Sequence, residues 1–193
     1  MNRFEDWFCS SRLWRMVTER KLLPWVLSGY ALGEHVLEVG SGPGATTEEL
    51  LRRAGRVTSL EYDAAYASQL AVRYRTKSGA RLTVVRGDAA ALPFPDNTFS
   101  SVVAVLVLHH LRSRELQDRA FQEIHRVLRP GGNFFAFEVR DGWLHRVGHY
   151  HSTFVPVAPA SAFARLTVAG FSRIAVDIER SAFRLCASRA AEV

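Results

Sequence analysis

Three glycines at alternate positions, Gly40, Gly42 and Gly44, close the stretch VLEVGSGPG at residues 36–44. Glycine adopts backbone angles that a Cβ forbids and lets a ligand approach the main chain closely. A short apolar run (Val36, Leu37, Val39) leads into them, and a helical pattern begins near residue 45. Strand, glycine turn and helix in that order make a nucleotide site at the carboxyl edge of a parallel sheet. The spacing is G-x-G-x-G with Ser41 inside it. It is neither the G-x-G-x-x-G of a dinucleotide site nor a phosphate loop, since no lysine follows. Glu38, just before the first glycine, suits a nucleoside without a pyrophosphate. Glu61 ends the next apolar run, 17 residues after Gly44, where an acid can accept both hydroxyls of a ribose. Gly87, Asp88 and Ala89 follow the third run, and Asp88 can accept from the exocyclic amine of an adenine. Tyr62, next to Glu61, offers a flat apolar face for a base.

The histidines form two groups. His109 and His110 follow the fourth apolar run, and His145, His149 and His151 lie near Trp143 and Tyr150. His109, His110 or His149 could take a proton from a nucleophile. His145 and His149 would share one helical face and could approach a metal, but no cysteine or carboxylate completes a metal set, and none is expected. The competing reading makes the first pair a support for its loop and leaves the second group partly solvated.

The elements that must position these residues alternate. Strands are expected at 36–39, 56–61, 82–86, 102–108 and 133–138, with helices at 46–54, 64–76 and 114–128, the last stopped by Pro130, Gly131 and Gly132. The fourth strand is apolar throughout, as a parallel strand buried on both faces should be. A helix at 161–169 and two close strands, 171–178 and 182–187, suggest a closing hairpin at the sheet edge. The expectation is a doubly wound, mostly parallel α/β sheet with helices on both faces, in a single domain of residues 1–193: a helical segment at 1–32 and a core at 33–193.

In residues 3–30, Phe4, Trp7, Phe8, Leu13, Trp14, Val17, Leu22, Leu23, Val26 and Leu27 interleave with Arg12, Arg15, Arg20 and Lys21. Pro24 divides this helical pattern or opens its second half. Such a segment packs against the domain or lies on a membrane surface, a possible peripheral contact. The 193 residues are 48% hydrophobic and 23% charged, ordinary for a soluble globular protein. The net charge of +6 is carried mainly by arginine, and the chain contains no run of five like charges, which argues against a nucleic-acid partner. No apolar run reaches the ~20 residues of a membrane span, no secretory leader is recognisable, and Cys9 and Cys186 have no paired spacing. A cytoplasmic location with reduced thiols follows as the expectation.

Taken together, the motifs resemble class I S-adenosylmethionine-dependent methyltransferases, in the small type-11-like subgroup that is similar to quinone-biosynthesis and phospholipid methyltransferases. VLEVGSGPG resembles the first motif, SLEYD the acidic second-strand motif, and GDAAALPFPDNTFSSVVAVLVLHHL the adenine motif with the fourth strand. EIHRVLRPGGNFFAFE resembles the following helix, turn and strand, and GFSRIAVDIERSAFRLCASR the closing hairpin. The resemblance implies a Rossmann-like sheet of seven strands, S-adenosylmethionine as cofactor with S-adenosylhomocysteine as product, and methyl transfer to O, N or C of a small or lipid-like acceptor. The alternatives are methylation of a nucleic acid or protein, and a binding protein without turnover. It further implies that Gly40, Gly42 and Gly44 approach the methionine portion and ribose, and that Glu38 orients the loop. Glu61 would hold the ribose hydroxyls, Tyr62 would pack on adenine, and Asp88 and the Ala89 amide would read its edge. Val105 would offer a backbone carbonyl to the methionine ammonium, with Leu106 beside it. Two departures stand out: Ser101 occupies a position where relatives carry aspartate, and the segment before the closing hairpin is short.

Overall fold

The computed structural model describes residues 10–28, 30–76, 79–148 and 152–192. Phe4, Trp7, Phe8, Cys9, His149, Tyr150 and His151 lie outside them. The first element among the described residues is α1 (Arg12–Val17), followed by a π-helical turn (Thr18–Leu22) and α2 (Leu23–Val26), in which Pro24 sits in the first turn, where its missing N–H costs nothing. Then follow β1 (His35–Val39), α3 (Ala45–Arg53), β2 (Arg56–Glu61), α4 (Ala64–Tyr74), β3 (Leu82–Arg86), β4 (Phe99–Val105), α5 (Arg114–Val127), β5 (Leu128–Val139), α6 (Trp143–Gly148), α7 (Pro159–Val168), β6 (Ser172–Glu179) and β7 (Ala182–Ser188).

The strands form one sheet in the order β3-β2-β1-β4-β5-β7-β6. The first five are parallel, and β7 runs antiparallel between β5 and β6. Strand periodicity explains the two cores. In β4 and β5, Val102, Ala104, Phe134 and Ala136 face α5 and α7, where Phe121, Ile124, Ala162 and Leu166 meet them. Val103 and Phe135 face the other way, toward Leu23 and Val26 of the N-terminal segment and Leu50 of α3. All five residues of β1 are buried, so this strand is covered on both faces. The N-terminal segment thus packs on the domain: Leu22, Leu23, Val26 and Leu27 are buried, and the Arg184 guanidinium lies 5.3 Å from the Trp25 ring centre and donates to the Trp25 carbonyl.

Element boundaries differ from expectation most around the fourth and fifth strands: β4 begins at Phe99 rather than residue 102, and β5 begins at Leu128 rather than residue 133, taking in Pro130, Gly131 and Gly132. The fourth strand ends at Val105 rather than residue 108, because Leu106 turns to φ 54 and Leu108–His110 form a 3-10 turn. The helix before β5 ends at Val127, ahead of the Pro130–Gly131–Gly132 turn assigned to stop it. Pro130 disfavours helical geometry at Arg129, and Arg189 Nη1 donates to the carbonyls of His125, Arg126 and Leu128 at 3.1, 3.0 and 2.8 Å, closing the helix end from the far end of the chain.

From β1 the chain moves outward through β2 and β3, then returns to β4 on the other side of β1. This reversal opens a crevice at the carboxyl ends of β1 and β4, where an open α/β sheet binds ligands.

Candidate active site

The glycine loop leaves β1 at that crevice. Gly40, Gly42 and Gly44 all have positive φ, at 74°, 48° and 88°. Their surroundings differ. A Cβ on Gly40 would stand 2.3 Å from Val107 Cγ2 in the loop after β4, so this glycine lets the two strand ends meet. A Cβ on Gly42 would meet nothing within 4 Å, so its backbone borders open space. The loop is held from behind by Arg73 Nη1, which donates to Pro43 O at 2.5 Å, and by the Gly40 amide, which donates to Leu60 O at 2.8 Å.

Glu61 ends β2 with its carboxylate turned to the loop. It accepts from the Gly42 amide at 2.7 Å and the Asp63 amide at 2.9 Å. A carboxylate has about four acceptor positions, so two remain for a diol. Tyr62 is 65% exposed beside it. Asp88 closes its own turn by accepting from the Ala90 amide at 2.9 Å, and Ala89 is buried. A Cβ on Gly87 would stand 2.7 Å from Leu60 Cδ1, so any larger residue there would have to displace that side chain.

Glu38 is 1% exposed. Its Oε2 accepts from Thr47 Oγ1 at 2.6 Å and Ser59 Oγ at 2.5 Å. Burial pushes its carboxyl up to about 7, against the two hydroxyl bonds that pull it down. Its Oε1 and the buried Ser41 Oγ have no hydrogen-bond partner among the described residues. Buried polar atoms are almost always paired, and two unpaired ones flanking a glycine loop suit a ligand that brings polar hydrogens to it.

The loop after β4 is fastened by a residue that the motif pattern did not single out. Glu138, fully buried at the end of β5, accepts from the Val107 and Leu108 amides at 3.0 and 2.7 Å through Oε1, and from His109 Nδ1 at 2.5 Å through Oε2. The visible signal was an acid closing the apolar run FFAFE. His109 is therefore 2% exposed and packs against Phe154, its ring centres 5.4 Å apart. This favours the supporting role over that of a base. His110 Nδ1 donates to Thr153 O at 3.2 Å. Gln117 Nε2 ties Leu108 O and Val155 O at 3.1 and 2.7 Å, so residues 153–155 form the far wall of this loop. Leu106, a bulky residue in the left-handed region, stores strain at the site itself. The structure thus brings the glycine loop, Glu38, Glu61, Val105 and Leu106 to one crevice, with Tyr62, Asp88 and Ala89 on the adjacent strand ends. His145 lies in α6, and His149 is outside the described residues. Among the described residues no three His, Cys, Asp or Glu side chains are grouped to hold a metal.

A seven-stranded sheet with an antiparallel seventh strand, a G-x-G-x-G loop at its switch point and an acid ending the second strand define a Rossmann-like domain of the methyltransferase type. The chain belongs to the family described as methyltransferase domain, which it matches over residues 37–136. It is 36% identical over 113 residues to the sterol 24-C-methyltransferase ERG6B of Gibberella zeae, an alignment covering 57% of this chain and 29% of that one. It is 36% identical over 118 residues to the ubiquinone/menaquinone biosynthesis C-methyltransferase UbiE of Chromobacterium violaceum, covering 60% and 47%. The chain thus spans less than half the length of these curated relatives. The phosphoethanolamine N-methyltransferase 2 of Haemonchus contortus, solved with S-adenosyl-L-methionine, shares the fold with a TM-score of 0.77 over 98% of this chain and 60% of that one, at 13% identity.

Proposed function

We propose that this chain transfers a methyl group from S-adenosylmethionine to O, N or C of a small or lipid-like acceptor. The observation that carries the reading is the half-satisfied site at the glycine loop: open space beside Gly42, and unpaired buried oxygens on Glu38 and Ser41. The donor's methionine end carries an ammonium that complements those acceptors, and its ribose diol complements the two acceptor positions left on Glu61. Asp88 and the Ala89 amide would read the adenine edge, with Tyr62 against its face. The backbone carbonyl of Val105 would face the ammonium from the β4 side.

When bound, the cofactor supplies a methyl group on a sulfonium, already activated for displacement. The protein's share is then to hold the acceptor in line and keep water out. Glu138 and His109 fix the loop after β4 that would border the acceptor. His110, at the same edge, is the candidate base for an acceptor that arrives protonated, with His149 the further candidate.

The reading extends to a cytoplasmic protein with a peripheral membrane contact. Supporting it are the net charge of +6 and the exposed Leu13, Met16, Trp143 and Val147. No helix among the described residues is long and apolar enough to cross a membrane.

The test is transfer from methyl-labelled S-adenosylmethionine into a lysate, split into organic-soluble, water-soluble and macromolecular fractions. Label is expected in the organic fraction, reduced at least tenfold by Asp88→Asn, which keeps an oxygen for the Ala90 amide. Label confined to macromolecules would overturn the acceptor class.

A further inference from the structure

A cleft of about 320 Å³ lies between the N-terminal segment and α3, bordered by Arg12, Arg15, Glu19 and Arg20 on one side and Ala45, Glu48, Glu49 and Arg52 on the other. Ala45 directly follows Gly44, so the cleft adjoins the glycine loop. Its charges are unequally matched. All three carboxylates are taken by Arg52, which reaches Glu19 at 3.0 Å, Glu48 at 3.2 Å and Glu49 at 2.9 Å, and Arg53 adds a second contact to Glu49 at 2.6 Å. Among the described residues no carboxylate pairs with Arg12, Arg15 or Arg20. Arg12, Arg15 and Arg20 thus line the cleft without an ion pair, and its four arginines outnumber its three carboxylates by one. Met16, 44% exposed, adds an apolar surface among them.

Guanidinium forks match oxyanions in shape as well as charge, because two N–H groups can meet two oxygens. We infer that this cleft holds the anionic head group, a phosphate or carboxylate, of an amphiphilic methyl acceptor, with the apolar part of that acceptor lying along Met16. The inference rests on the proposed function and narrows its acceptor to an anionic amphiphile. It gives the arginine-rich N-terminal segment a role in recognition as well as in covering the sheet.

The probe is octyl phosphate, titrated calorimetrically into the full chain in low salt, with and without S-adenosylhomocysteine. The variants are Arg12→Gln/Arg15→Gln/Arg20→Gln, the matching triple Arg→Lys, and the single Arg15→Gln. Wild type is expected to bind saturably and the triple glutamine variant at least tenfold more weakly. The lysine variant should fall between them, and salt should weaken wild-type binding. Affinity for S-adenosylhomocysteine should change less than twofold. Should the triple glutamine variant not fold, as judged by circular dichroism, Arg15→Gln must still cost about threefold. No saturable octyl phosphate binding by wild type, or equal binding by the variants, overturns the inference. A parallel loss of S-adenosylhomocysteine affinity in the glutamine variant also overturns it, by assigning the cleft to the donor's own carboxylate. Failure of wild type to bind S-adenosylhomocysteine at all would instead count against the proposed function, on a separate readout.

Discussion

Glu38 and Glu138 occupy equivalent places, near the carboxyl ends of β1 and β5, and both are essentially inaccessible to solvent. Glu138 has both oxygens engaged, by two amides and a histidine, and so acts as a strut that ties β5 to the loop after β4. Glu38 has one oxygen bonded to two hydroxyls and the other unpaired, with its proton affinity raised to about 7 by burial. The same residue type in the same kind of place is structural where its partners are internal and ligand-ready where one partner is missing. A buried acid is thus read from its unfilled bonds, since burial alone describes both.

Breaking the strut should have the largest effect. Glu138→Ala strands a buried histidine and two amides, and should destabilise the fold by about 3–5 kcal/mol in urea unfolding. A loss below about 1 kcal/mol would erase the distinction between the two acids. The second test uses pH. The folded protein holds a proton on Glu38 up to about 7, against an ordinary 4.5, so it binds more protons than the unfolded chain in that window. Stability from this group is therefore greatest below 4.5 and falls as pH rises to about 7. The difference between wild type and Glu38→Gln should shift by about 3 kcal/mol across the window. The subtraction is needed because His35, pushed down to about 4 by burial and by Arg56, drives wild-type stability the opposite way over much of the same range. Equal pH slopes in the two proteins would remove Glu38 from the account.

The glycines sharpen the same contrast at smaller magnitude. Gly40→Ala presses a Cβ into Val107 and should cost about 2 kcal/mol of stability. Gly42→Ala meets open space and should cost only about 1 kcal/mol, from its positive φ, while weakening S-adenosylhomocysteine binding at least tenfold in calorimetry. Reversed sensitivities would show that the crevice lies elsewhere. The smallest effect on the fold is expected from Tyr62→Ala: no more than about 0.5 kcal/mol in a melt, with a several-fold loss of cofactor affinity.

Much of this architecture was legible in advance because it is local. β2 and β3 fall at their expected bounds, and the closing hairpin lies within a residue or two of them, because alternation and turn residues are written in consecutive positions. The glycine loop was legible for the same reason, since φ is a property of single residues. Glu138, Val107 and Arg73 were not. Their roles depend on partners far away in the chain, 30 positions for Glu138 with Leu108 and for Arg73 with Pro43 and 67 for Val107 with Gly40, brought close only by sheet order. The boundary at Val105 was missed because apolar character continues past the point where Glu138 captures the amides of Val107 and Leu108 and curls the chain away from the sheet.

The sequence by itself determined the strand–helix alternation, the three glycines of the loop and the acids that close the strands, since each follows from the chemistry of neighbouring residues. The tertiary structure alone decided which acid is a strut and which is unfilled, which histidine is walled in, and which arginines are left without carboxylates. Those outcomes depend on how many hydrogen-bond and charge partners arrive from elsewhere in the chain, and only packing sets that number.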